Sequence, residues 1–178
     1  GAPTFDDSNS IGQTSSLLGR IGGTTHLFDG KLETSAFVGQ LQDDRRYLEP
    51  LAAADPNQTS SDSRYHSYRT DAQWNNTLHL DDIASVPGLS NSAMTFGYEY
   101  IGDTAKVRVN ENFGGFPFGQ NASASMTTNA VYAGLQTTVL QRLALTGQLR
   151  HDWVQGDTPT TWRLGAVYDL KEIATHLK

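Results

Sequence analysis

The chain has 178 residues, a formal net charge of −6, 37% hydrophobic residues and no cysteine. The acidic balance argues against a nucleic-acid surface, which needs clustered Lys and Arg, and the missing cysteines exclude disulfides and thiolate metal centres. No segment approaches the roughly 18 apolar residues of a spanning helix; the mean hydropathy of −0.46 is that of a water-soluble chain, unless only alternate strand residues meet lipid.

Residues 1–10 lack a basic segment followed by an apolar core, so no signal peptide is expected at this end. The first strand is predicted near 15–28, where Leu17, Gly19, Ile21, Gly23, Thr25 and Leu27 alternate with Leu18, Arg20, Gly22, Thr24 and His26. A period of two is the signature of a strand, because successive side chains point to opposite faces. Asp29-Gly30 then reads as a hairpin turn, since Gly tolerates the positive φ of a tight turn, and a second strand is predicted near 31–43. A long loop is expected from about Asp44 to Ser63. Arg45, Arg46 and Tyr47 stand at its entrance and are candidate ligand contacts, set against the plainer reading of Arg beside Asp as a surface ion pair.

The third strand, near 64–80, sets Tyr68, Thr70, Ala72, Trp74, Asn76, Leu78 and Leu80 against Ser67, Arg69, Asp71, Gln73, Asn75, Thr77 and His79. A medium turn from Asp81 to Asn91 leads to a fourth strand near 92–101, with Met94, Phe96, Tyr98 and Tyr100 on one side. The next connection, Gly102 to Met126, is read as a second long loop. It holds Phe113-Gly-Gly-Phe-Pro-Phe118, whose Phe113, Phe116 and Phe118 are further candidate ligand contacts, with packing into a barrel mouth as the equal alternative.

Strands near 127–139, 143–154 and 161–170 follow, joined at Gln141-Arg142 and by a medium loop from Val154 to Thr161. Trp153 and Trp162 flank that loop as interface aromatics would, and Ala174–Lys178 is a candidate eighth strand. The expected fold is all-β: an antiparallel up-and-down meander of seven or eight long strands forming one segment, residues 1–178, of a transmembrane β-barrel. About ten residues per strand suits a tilted bilayer crossing, and long connections alternating with short ones suit two unlike rims. The turn at Asp81–Asn91 is longer than that scheme prefers.

Motifs of catalysis are weak. His26, His66, His79, His151 and His176 have no paired spacing for a metal, and alternation separates His151 from Arg150 and Asp152, so it reads as a strand-end interface histidine. The pairs Asp6-Asp7, Asp43-Asp44 and Asp81-Asp82 match no calcium-loop spacing and read as solvated turns. Sequons at Asn57, Asn75 and Asn121 are of a kind common by chance. No catalytic residue, metal site or cofactor is expected.

Asn129-Ala-Val-Tyr-Ala-Gly-Leu-Gln, Leu143-Ala-Leu-Thr-Gly-Gln-Leu-Arg-His-Asp and Thr161-Trp-Arg-Leu-Gly-Ala-Val-Tyr-Asp-Leu resemble three consecutive barrel strands of the TonB-dependent outer-membrane receptors, most closely the vitamin B12 (cobalamin) type. Gln73-Trp74-Asn75-Asn76 and Phe96-Gly97-Tyr98-Glu99-Tyr100 are similar in order and spacing, so the resemblance covers about Leu17 to Lys178. It implies the outer membrane of a Gram-negative bacterium, outer-membrane lipid as surroundings, uptake of cobalamin or a metal chelate such as a siderophore, and coupling to TonB through regions outside this chain. Acidic outer loops hold calcium in some cobalamin-type receptors, and Asp43, Asp44, Asp55 and Asp62 lie on such a loop here, without a motif that carries over individual ligands.

The chain departs from the family in having no plug domain, too few strands for a whole barrel and no terminal aromatic residue. A fragment that is not transport-competent alone is therefore expected, with open edges that favour self-association. Two other readings are a small self-contained outer-membrane barrel for adhesion or structure, which needs its eighth strand paired to its first, and a soluble lipocalin-like ligand-binding barrel, which needs Leu145, Leu149 and Leu164 enclosed in a lumen.

Overall fold

The computed structural model describes residues 10–51, 59–170 and 175–177. Asp6, Asp7, Asp55, Asn57, Ala174 and Lys178, named above, lie outside them. The elements are β1 (Ile11–Leu27), β2 (Leu32–Glu49), β3 (Ser60–His79), β4 (Leu89–Phe113), β5 (Phe116–Val139), β6 (Leu143–Val154), β7 (Thr160–Leu170) and β8 (Thr175–Leu177). They form one sheet in the order β1-β2-β3-β4-β5-β6-β7-β8, an antiparallel meander in which β8 pairs with β7 and β1 and β8 are its edge strands.

The turns follow local chemistry. The Lys31 amide donates to the Phe28 carbonyl across Asp29 and Gly30, both at positive φ, which is the expected Asp-Gly hairpin. Leu140 and Gln141 make the equivalent turn between β5 and β6, with the Arg142 amide on the Val139 carbonyl at 3.1 Å. The longer connection from Asp81 is held by the Asp81 carboxylate, which accepts from the Ser92 amide at 3.0 Å. Its Gly88 carbonyl accepts from the Leu140 amide at 2.7 Å, tying two neighbouring turns together.

Three expected loops are shorter than expected. Within the predicted 44–63 segment β2 continues to Glu49 and β3 begins at Ser60, and 52–58 lie outside the described residues. The predicted 102–126 loop is strand on both sides of a two-residue turn, Gly114-Gly115, at φ 58° and 86°. Between β6 and β7, Val154 and Asp157 exchange two backbone hydrogen bonds of 2.9 Å around Gln155-Gly156, so that connection is also tight. Strands of 17, 18, 20, 25 and 24 residues for β1 to β5 far exceed the roughly ten that a bilayer requires, whereas β6 and β7, at 12 and 11, are close to it.

The chain divides into two compact units. One comprises Arg20–Gly39, Asp71–Ile101 and Thr127–Lys178 and contains the turns at Asp29-Gly30, Leu140-Gln141 and Gln155-Gly156. The other comprises Gly1–Gly19, Gln40–Thr70 and Gly102–Met126, including the extended arms of β2, β3, β4 and β5. Neither has a dry apolar centre: among the described residues the buried apolar side chains are Ala93 and Ala130 alone. A sheet whose larger hydrophobes are all accessible is one built to be covered by something other than itself.

In the turn-proximal unit the faces are chemical opposites. On one, Ala133 pairs with Leu149 and Leu149 with Trp162, while Leu135, Gly147 and Leu164 form the next row. Leu145, Leu149 and Leu164 are 36%, 54% and 75% exposed on this face, not enclosed as a lipocalin interior would hold them. Trp74 stands edge-on to Phe96 and donates its indole N–H to Thr34 at 2.9 Å. His151 bonds Thr160 at 2.7 Å and stacks edge-on against Trp153, on the side away from Arg150 and Asp152.

Candidate functional site

On the opposite face the same unit carries a polar network. Tyr132 donates its hydroxyl to Asn75 and accepts from the Gln73 amide at 3.3 Å. Beside it, Arg150 reaches Glu99 at 2.6 Å and Asp152 at 2.8 Å. Two carboxylates on one guanidinium compensate its charge, which is what makes a half-buried cation tolerable. Glycines make the room: a Cβ on Gly97 would stand 2.3 Å from the Trp74 carbonyl and 2.4 Å from the Tyr132 hydroxyl, and one on Gly134 would meet Thr95 at 2.9 Å. A concavity of about 490 Å³ opens on this network, lined by Gln73, Asn75, Thr95, Tyr132, Gln148 and Arg150. The sequence reading named none of these as a site. The signal was available in Glu99, a lone carboxylate between two tyrosines, and in Arg150 and Asp152 two positions apart on one strand face.

In the other unit alternation divides the basic candidates. Arg45 and Tyr47 share a face with Asp43, which accepts from the Ser16 hydroxyl at 2.7 Å and from Arg45 Nε at 2.9 Å. Arg46 is turned to the other face, where its guanidinium holds Asp62 through two bonds of 3.0 Å. The three basic and aromatic positions thus do not form one contact surface. On the Arg45 side a concavity of about 440 Å³ is lined by Asp43, Arg45, Tyr65, Ser67, Ala105 and Val107.

Phe113 and Phe116 flank the Gly-Gly turn and are directly opposed, while Phe118 lies two residues further on, so all three project from one face of the hairpin tip. They share strand parity with Asp103, which Arg69 grips at 2.7 and 2.9 Å. All three rings are exposed, at 57%, 79% and 58%.

Of the described aspartates of the arms, Asp43 and Asp62 are held by arginines and Asp44 by Gln42 and His66. Asp43 and Asp44 point to opposite faces, Asp44 takes Gln42 at 2.7 Å and His66, and Asp62 is shared by Arg46 and Arg64. Hydrogen bonds from Arg46 and then Arg64 hold the Asp62 carboxyl far below the usual aspartate range, and those from Gln42 and then His66 lower Asp44. A carboxyl that is a stronger acid in the folded arm stabilises it above the ordinary aspartate value of 3.8, and that contribution disappears as pH falls below it. A carbon-13 NMR titration is expected to find Asp62 still ionised at pH 3.8, and Arg46→Ala with Arg64→Ala to bring its midpoint back to that value. An unchanged midpoint would refute the pairing.

A family model described as TonB dependent receptor-like, beta-barrel matches residues 2–175. No curated protein sequence matches. Similar solved structures include the RagAB peptide importer in its 'open-open' state, with a TM-score of 0.72 at 11% identity over 93% of this chain and 21% of that one. The ferric yersiniabactin uptake receptor FyuA from Yersinia pestis gives 0.62 at 11% over 90% and 27%, and the unliganded ferric citrate transporter FecA gives 0.64 at 10% over 90% and 26%. At such identities the likeness is one of fold, and this chain spans about a fifth to a quarter of each of those chains. The family match extends over nearly all of the meander just described, with its accessible leucines on one face and its Tyr132 and Arg150 networks on the other: the chain belongs to the TonB-dependent receptor β-barrel family.

Proposed function

We propose that this chain is a wall segment of a Gram-negative outer-membrane receptor that takes up a metal chelate or cobalamin, with TonB coupling supplied through regions outside it and no transport by the segment alone. The observation that carries the reading is the opposition of faces in the turn-proximal unit. A row such as Ala133, Leu149 and Trp162 suits acyl chains, and the Tyr132 and Arg150 networks suit a wet interior. In the other unit, Arg45, Tyr47, Phe113, Phe116 and Phe118 are the ligand contacts of this reading.

The chemistry favours a chelate. Aromatic rings on a glycine turn, and an arginine elsewhere on the arms beside Ala105 and Val107, suit a ligand with flat apolar surface and carboxylate or phenolate oxygens. FyuA and FecA, named for ferric yersiniabactin and ferric citrate, share this fold and lend the reading support; RagAB, a peptide importer, shows that the fold alone does not choose the cargo. In the whole receptor, replacing Phe113, Phe116 and Phe118 together by alanine is expected to weaken binding about 10- to 100-fold by calorimetry. Ferric citrate, a catecholate ferric siderophore and cyanocobalamin form the panel. Failure of the receptor to bind any of them, or equal binding by the triple variant, would overturn the corresponding part of the proposal.

A further inference from the structure

Within the unit of the arms, charge is divided by face. On the parity of Arg45, shared by Phe113, Phe116 and Phe118, the acidic residues are Asp43, Glu49, Asp103 and Glu111 and the basic ones Arg45 and Arg69. From β5 the same face takes Gln120, Ala122, Ala124 and Met126 and no charge. Both cations are already seated: Arg45 lies on Asp43 at 2.8 Å, and Arg69 holds Asp103 through two bonds. Glu49 and Glu111 meet no cation among the described residues. The two-residue turn sets Glu111 opposite Phe118, so a half-buried carboxylate stands next to the aromatic rings.

An arginine bound to its own carboxylate offers little to an incoming anion. The anion must displace a partner tethered within reach, and it meets the uncompensated charge of Glu111 as well. The apolar part of the face carries no such penalty: exposed Tyr65 and Met126 and half-buried Val107 and Val109 extend the surface begun by the three phenylalanines. Apolar contact without a spare cation suits a metal complex whose oxygen ligands have spent their charge on the metal. Arg45 keeps N–H donors that can reach such a metal-bound oxygen while Asp43 balances it. We propose that this face takes an uncharged metal complex in preference to an anionic one, and that Glu111 is the residue that sets the preference. The inference rests on the ligand-contact reading of the preceding subsection and adds to it the charge of the cargo.

The test uses the whole receptor and two ferric complexes built on one phenyl-bearing tripodal scaffold, an uncharged tris-hydroxamate and a trianionic tris-catecholate. Cyanocobalamin, also uncharged, is the third probe. By calorimetry the better-bound uncharged complex is expected to bind at least about tenfold tighter than the tris-catecholate, as the cost of like charges in contact requires. The residual affinity for the tris-catecholate should rise with salt, because screening weakens repulsion. Glu111→Gln should narrow the gap by tightening the tris-catecholate alone, and Glu111→Lys should narrow it further; an unchanged affinity for the uncharged probe certifies that both variants fold. Equal or tighter binding of the tris-catecholate by the wild-type receptor, or an affinity for it that falls as salt rises, overturns this inference and leaves the uptake reading standing. A gap that neither variant changes removes Glu111 from its role. Binding of none of the three probes sinks the uptake reading and this inference together.

Discussion

Replacing Gly97 by alanine is expected to lower the unfolding free energy of the chain in micelles by about 3 kcal/mol, the upper part of the range for overpacking. The cost is high because the new methyl would meet the Trp74 backbone carbonyl at 2.3 Å, which cannot swing aside without parting β3 from β4. It would also press on the Tyr132 hydroxyl at 2.4 Å and on its ring carbon at 2.7 Å, displacing a group that bonds Asn75 and Gln73. Gly19 and Gly23 offer the contrast: nothing lies within 4 Å of a Cβ there, so alanine should be close to neutral.

A second substitution separates the two clashes. Tyr132→Ala in the Gly97→Ala background relieves the ring but not the carbonyl, so a denaturant double-mutant cycle should show only partial recovery. Full recovery would place the whole cost on the tyrosine and contradict the carbonyl contact; a neutral Gly97→Ala would contradict both.

How much of this was legible in the sequence depends on which half of a strand is considered. Around Leu145, Leu149, Trp162 and Leu164 the alternation is strong because one face is apolar and the other is not, and the fold class follows from it. Beyond Ile101 the same parity turns polar at Lys106 and Arg108 while Val107 and Val109 take the other side, so a test that expects one constant greasy row sees a loop. From Gly119 to Ser125 small and polar residues fill both parities, and only backbone pairing keeps the strand. The cue that was missed is Gly114-Gly115 between Phe113 and Phe116, a two-residue hairpin signal as good as Asp29-Gly30. The split of Arg45 and Tyr47 from Arg46 was legible by counting, once the segment is a strand. That Asp62 captures Arg46 was not, because residues 16 positions apart meet only through a register set elsewhere in the sheet.

Leu149→Arg is expected to change sign with the solvent. Leu149 stands 54% exposed in the middle of β6, paired with Ala133 on one side and Trp162 on the other. If that row meets acyl chains, an arginine there costs about 2–4 kcal/mol of bilayer-inserted stability, as for a cation near the midplane. Without detergent the same row meets water, and β1 adds an edge whose described side chains are all exposed, so the wild-type chain should sediment as an assembly. There the arginine removes apolar surface and adds charge, which should shift the chain toward smaller species. Arg163→Glu, on the opposite parity of β7, should do neither, since it exchanges one charge for another on the polar face. Comparing lipid-vesicle folding titrations with sedimentation velocity checks both signs at once. A loss of stability in both media would mean that Leu149 packs against protein, and the lipid-facing assignment would fall with it.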